Sequence, residues 1–390
     1  MNNLNSNQSN FGPTRQLEIY QNIYPFFPIG YEDWEYRASQ VLGKGAFDYA
    51  AGGAGAEDTM KANREAFYKW RIEPQILKDI SYRDLSVLLF GQKYPFPVFL
   101  GPVGRQILFH SEGELASAKA AARLSVPFVL STFSSYSIED ISRVMVKSPR
   151  WFQLFWGTEN EIALSMIKRA EVAGYSAIVI SFDRPLIGWR ERDLRNVYFP
   201  KMFSRALANF LQDPVFLSKL AKLPKQDIQT AVDLAFRISY NPGLTWTDFD
   251  WIRSQTKIPI VIKGITNPND AELAVQHQAD AIIVSNHGGR HLDGAVASLD
   301  ALPKISEVIR GRIPILLDSG IQRGADVIKA IALGAEAVLI GKLYTFALAV
   351  GGEEGVYSAL ENIIADTDLT MANAGISSLS KVDKSLVVHN

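Results

Sequence analysis

Eight short apolar runs punctuate the chain: PVFLGP (97–102), PFVLST (127–132), RWFQLF (150–155), AIVISFD (177–183), PIVIKG (259–264), AIIVSN (281–286), PILLDSG (314–320) and AVLIGK (337–342). Proline or small residues bound them, and most are followed by an amphipathic stretch such as SEGELASAKAAARL. Strands rich in Val, Ile and Leu that alternate with helices imply a parallel sheet covered by helices. Their starts fall about 22 to 33 residues apart with one exception. Eight such units predict an α/β fold of the (β/α)8 TIM-barrel type rather than an open sheet.

The exception is a gap of about 80 residues between the fourth and fifth runs, read as an insertion over about 193–248. It is aromatic-rich and partly helical, which predicts a folded excursion or lid over the barrel mouth rather than a linker. Residues 1–30 read as a loose extension and 31–95 as a helical preface to the barrel, so that 31–390 form one domain. With 47% apolar residues the chain can bury a large core. Its 40 basic and 41 acidic residues leave a net charge of -1, which gives no reason to expect nucleic acid. No apolar stretch reaches membrane-spanning length and the start lacks a secretory pattern, so a cytoplasmic protein is expected. The absence of cysteine excludes disulfides, thiolate nucleophiles and cysteine-based metal sites.

In this fold chemistry sits on the loops after each strand. The polar residues there are Ser131, Thr132, Gln153, Ser181, Asp183, Lys263, Ser285, Asn286, His287, Asp318, Ser319 and Lys342. One polar residue at a strand end usually caps the next helix, but this many converging on one mouth make a site. Lys263 suits a Schiff base, as in an aldolase-like barrel, or an anion's counter-charge, and spacing leaves both open. His287 is the candidate for proton transfer, with Asp183 to orient it; the alternative is a histidine that satisfies loop backbone. Arg190 and Arg290 either clamp a carboxylate or form surface ion pairs. The loops DSGIQRGAD and IGKLY, with small residues ahead of helices, suit a phosphate.

Together FDYAAGGAGAED, WFQLF, SFDRPLIGWRERDL, PIVIKGI, SNHGGRHLD, DSGIQRGADV and IGKLY resemble the FMN-dependent α-hydroxy acid oxidases and dehydrogenases, over about residues 31 to 380. EIYQ, YEDWE, SNHGGR and the insertion look most like the lactate 2-monooxygenase type, which decarboxylates its product before release. The resemblance implies FMN as cofactor, a small L-2-hydroxy acid such as L-lactate as substrate, O2 as acceptor and a homotetramer. The alternatives are release of keto acid and hydrogen peroxide, or a catalytically weak flavin-binding homologue.

Position by position, the resemblance makes His287 the base, Asp183 its partner, and Tyr49, Arg190 and Arg290 the holders of the substrate carboxylate. Phe133, Phe155 and Gly104 would border the substrate. Gly101, Pro102 and Val103 would lie against the flavin, and Ser131, Gln153, Ser181 and Ser285 would serve its polar edge. Lys263 would face N1–C2=O as an electrostatic group. Asp318, Ser319, Gly320, Gln322, Arg323, Gly341 and Lys342 would hold the ribityl chain and phosphate. Three positions depart from the family: Phe155 replaces a tyrosine, and Gln322 and Lys342 replace arginines, so a substrate hydrogen bond and phosphate-binding charge are lost. Gly104 matches the monooxygenase type and suggests extra room beside the flavin. His291 stands where relatives usually have glutamine and reads as a loop residue.

Overall fold

The computed structural model describes residues 10–22, 27–198 and 206–390. Eight parallel strands close a barrel: β1 (Val98–Leu100), β2 (Phe128–Ser131), β3 (Arg150–Leu154), β4 (Ile178–Ser181), β5 (Ile260–Ile265), β6 (Ala281–Val284), β7 (Ile315–Leu317) and β8 (Ala337–Ile340). Each lies at its expected run. β8 pairs with β1, Ile340 opposite Leu100, to complete the ring.

Alternation along each strand separates two cores. Phe99, Val129, Trp151, Val179, Val261, Ile283, Leu316 and Leu339 face inward and fill the barrel with buried apolar side chains. The intervening residues face outward, with Leu100, Phe128, Leu130, Phe152, Ile178 and Ile180 in the layer shared with the helices. Burying side chains of this size stabilises by roughly 1.5–3 kcal/mol each. The lower end of the barrel is stoppered by an antiparallel hairpin, Val87–Leu89 with Gln92–Tyr94, whose Leu89 and Tyr94 join the inner cluster. The preface is therefore not wholly helical. The hairpin strands are not followed by an amphipathic stretch, the pattern that marked the barrel strands.

The preface also contributes the helices Tyr31–Val41, Lys44–Ala51 and Asp58–Tyr68. Strand Trp70–Ile72 pairs antiparallel with Val387–His389, tying the preface to the chain's end. Within 1–30, expected to be loose, residues 11–20 instead form a docked helix, while 1–9 and 23–26 lie outside the described residues. The helix is held by polar contacts that a hydrophobicity reading does not register. Gly12 N donates to Asp368 Oδ2 at 2.8 Å, and the buried Arg15 reaches Ser358 Oγ at 3.0 Å and Glu361 at 3.0 Å.

The insertion is folded where described, with residues 199–205 outside. Helix Pro214–Ser218 is capped by Asp213, which accepts from Val215 N and Phe216 N, both at 3.0 Å. Buried Asn209 donates to the carbonyls of Ser131 (3.2 Å) and Thr132 (3.1 Å), fastening the insertion beside the end of β2.

Asp368 is fully buried and accepts from Arg83 Nε at 2.5 Å and Nη2 at 2.9 Å as well as from Gly12. Removing one partner of a buried pair strands the other charge. Asp368→Ala is expected to destabilise by about 3–5 kcal/mol, read as a lower urea midpoint. An unchanged midpoint would show that Arg83 is solvated without it.

Candidate active site

The inward column of every strand changes character at its carboxyl end. Two residues beyond the inner apolar side chains, period-two alternation places Gly101, Ser131, Gln153, Ser181, Lys263, Ser285, Asp318 and Gly341. They form a small and polar layer directly above the apolar plug. Above it opens a cavity of about 390 Å³ lined from the preface, the loops after the strands, and the insertion.

Lys263 is the charged centre of that layer. Its Nζ donates to Ser285 Oγ at 2.7 Å and lies 3.0 Å from Asp318 and 3.6 Å from Asp183. Burial disfavours its charge, but the two carboxylates outweigh this and raise its pKa. A lysine held protonated is a poor Schiff-base nucleophile, which favours the electrostatic role. His287 Nδ1 meets Asp183 Oδ1 at 3.0 Å, and burial lowers the imidazole's pKa although Asp183 pulls it up. The histidine is thus neutral at pH 7 and oriented, the state a general base requires. Burial opposes ionisation of Asp183, yet His287 and Lys263 hold it well below the usual carboxylate range.

The SNHGGR segment turns through three left-handed residues, His287 (φ 58), Gly288 (φ 67) and Gly289 (φ 70). At Gly289 a Cβ would come within 2.7 Å of Met60 N, so only glycine fits. The turn carries Arg290 into the cavity, its guanidinium 5.0 Å from the Tyr49 ring, with Arg190 at 5.4 Å. Arg190 pairs with Asp193 at 2.9 Å and Arg290 donates to Gly52 O at 2.7 Å. Burial would raise the Tyr49 pKa, but Arg105, Arg290 and Arg190 bring it down to about 8. Such a phenol is a strong hydrogen-bond donor to an anion.

At the other end, Gly101, Pro102, Val103, Ser131, Asp318, Ser319, Gly320, Gln322, Gly341 and Lys342 all line the cavity. Ser131 Oγ lies 3.1 Å from Gln153 Oε1. Gln153 Nε2 and Ser181 Oγ are buried without hydrogen-bond partners among the described residues. Such groups are costly unless a ligand satisfies them. Lys342 Nζ contacts Ala51 O and Met60 Sδ, both at 2.6 Å, and burial, reinforced by Arg290, lowers its pKa to about 7. Unpaired donors, a buried ammonium and a cation at the helix start Lys342–Asn373 fit the ring edge, N1–C2=O region and phosphate of FMN.

Arg323, Gly104 and His291 behave differently from expectation, and Gln153, Ser181 and Ser285 lie beneath the cavity lining rather than in it. Arg323 does not join the cavity; its guanidinium is taken by Glu32 at 2.6 and 2.7 Å, whereas Arg64, unforeseen, lines the cavity and reaches Gly320 O at 3.0 Å. Gly104 offers no extra room, because a Cβ there would meet Phe133 O at 2.6 Å. His291, read as a loop residue, lines the cavity with its ring 4.4 Å from that of His287. Sequence reasoning also missed Arg105, Arg184 and Tyr240. The first two follow strands β1 and β4 closely enough for the strand-end rule to have found them.

Residues 38–389 match the model of the FMN-dependent dehydrogenase family. An L-lactate oxidase of Lysinibacillus sphaericus is 43% identical, covering 93% of this chain and 94% of that one. 2-Hydroxyacid oxidase 1 of Homo sapiens is 36% identical over 92% and 96%. A crystal structure of mandelate oxidase superposes with a TM-score of 0.83 at 36% identity, covering 93% of this chain and 99% of that one. Together with the closed barrel, these matches establish that the chain belongs to the FMN-dependent dehydrogenase family.

Proposed function

We propose that this protein oxidises an L-2-hydroxy acid to the 2-oxo acid with FMN, and that O2 is the final acceptor, leaving as hydrogen peroxide. The observation that carries this reading is the neutral His287, oriented by Asp183, in one cavity with Tyr49, Arg190 and Arg290. Bound FMN supplies the two-electron acceptor. Arg190, Arg290 and the Tyr49 hydroxyl bind the substrate carboxylate and so fix the α-carbon. His287 accepts the proton released on oxidation, and Asp183 stabilises the imidazolium that forms. Lys263 places positive charge where the cofactor's polar edge gains electrons. Gln153 and Ser181 satisfy their orphaned groups on that edge, and Lys342 binds the phosphate.

A second reading, decarboxylation of the oxo acid before release, rests on the insertion, whose Tyr240 lines the cavity. Gly104 lends it no support. With L-lactate and O2, oxidase chemistry yields pyruvate and hydrogen peroxide in equal amounts. Acetate, carbon dioxide and water in their place would establish the decarboxylating outcome.

Two pH dependences follow from the charges. Burial lowers the His287 pKa below its ordinary value, so the acid limb of kcat/KM is expected below pH 6.5. Ionisation of Tyr49, near pH 8, sets the alkaline limb. Tyr49→Phe should abolish that limb, and His287→Ala should slow anaerobic flavin reduction by roughly 10²–10⁴-fold. Full turnover by His287→Ala would overturn the assignment. Secondly, Lys342 titrates near 7 in the unliganded protein, and a phosphate dianion raises its pKa. Above pH 7 FMN binding must then take up a proton, so affinity should fall as pH rises from 7 to 9 in fluorescence titrations of deflavinated protein. Lys342→Met should weaken binding and flatten the profile.

A further inference from the structure

Arg184 follows Asp183 directly and is enclosed by aromatic faces. Its guanidinium carbon lies 4.2 Å from the ring centre of Phe155, 4.5 Å from Tyr240 and 4.9 Å from Phe133. It lines the cavity. Among the described residues no carboxylate stands at ion-pair distance from it; the Tyr240 hydroxyl is the polar group that supports its charge, and the cations Arg105 and Arg190 oppose it. Aromatic faces attract a cation but accept none of its in-plane hydrogen bonds. The five N–H groups of a guanidinium match a planar carboxylate. Beside it, the buried hydroxyl of Tyr240 faces Arg184 and has no other partner among the described residues.

Position narrows the ligand. Phe155 stacks on His287 with ring centres 6.1 Å apart and carries Arg184 at 4.2 Å from its own centre. Arg184 is therefore about one aromatic ring removed from the base that meets the reacting carbon. On the proposed function, on which this step rests, the α-carboxylate is already held by Tyr49, Arg190 and Arg290. We infer that Arg184 and the Tyr240 hydroxyl form a second anion subsite for a carboxylate on the substrate's side chain, making the preferred substrate a short L-2-hydroxy dicarboxylic acid. Burial lowers the Arg184 pKa and the neighbouring arginines add to the shift, consistent with a site lacking its counter-anion.

Anaerobic flavin reduction by the holoenzyme tests this with L-malate and L-2-hydroxyglutarate against L-2-hydroxybutyrate and L-2-hydroxyvalerate, which match them in carbon number. The diacids are expected to be favoured by about tenfold or more in kcat/KM. Arg184→Gln should cost the diacids at least about tenfold more than the monoacids, with partial recovery in Arg184→Lys. Equal losses for both classes, or monoacids preferred by the unaltered protein, would overturn the subsite. Binding of 2-oxoglutarate and 2-oxovalerate, followed by the flavin absorbance shift, separates this inference from the reading beneath it. If no 2-hydroxy acid reduces the flavin, the proposed oxidation fails. Tighter binding of 2-oxoglutarate that is lost in Arg184→Gln would still support the subsite, and equal binding of the two would refute it.

Discussion

Each barrel strand carries one inward-facing column of side chains, and in all eight that column is apolar at depth and small or polar at the mouth. Closure of the ring forces the columns together, so Phe99, Trp151 and Leu339 exclude water from below while Gln153, Ser181, Lys263 and Asp318 are gathered on top of the dry plug. The plug makes the polar layer consequential. With little solvent to screen it, each donor and charge must find a partner in a neighbour or a ligand.

Lys263 shows how the protein meets that requirement on its own. Two carboxylates at 3.0 and 3.6 Å and a serine hydroxyl at 2.7 Å keep the ammonium charged despite burial. Asp183 also orients His287, so one carboxylate links the fixed positive charge to the neutral imidazole. Gln153 Nε2 and Ser181 Oγ, by contrast, have no hydrogen-bond partner among the described residues. The layer thus keeps its ammonium paired with carboxylates, while Gln153 Nε2, Ser181 Oγ and Asp183 Oδ2 lack hydrogen-bond partners among the described residues.

Much of this was legible from the chain because strand ends obey a simple period. The runs located all eight strands, and the polar residues at or just after their ends included His287, the proposed base, with Asp183 and Lys263. Context the period does not contain decided the failures. Arg323 lies beside the correct loop, but Glu32 from the preface claims it. Gly104 reads as vacant space until the Phe133 carbonyl is seen to occupy it. Arg184 and Arg105 pass for surface cations, the usual fate of arginine, because the aromatic rings around Arg184 come from three separate loops. The docked helix at residues 11–20 escaped because its anchors, Asp368 and Glu361, lie near the other end of the chain.

The sequence by itself determined the barrel, the order of its strands, and which side chains stand at its mouth, since these depend on local alternation and on spacing along the chain. Only the tertiary structure decided protonation and occupancy: the neutral His287, the charged Lys263, the Tyr49 phenol near 8 and the uncompensated Arg184. Those properties come from burial and from charges distant in sequence, quantities that exist only once the columns have been brought together.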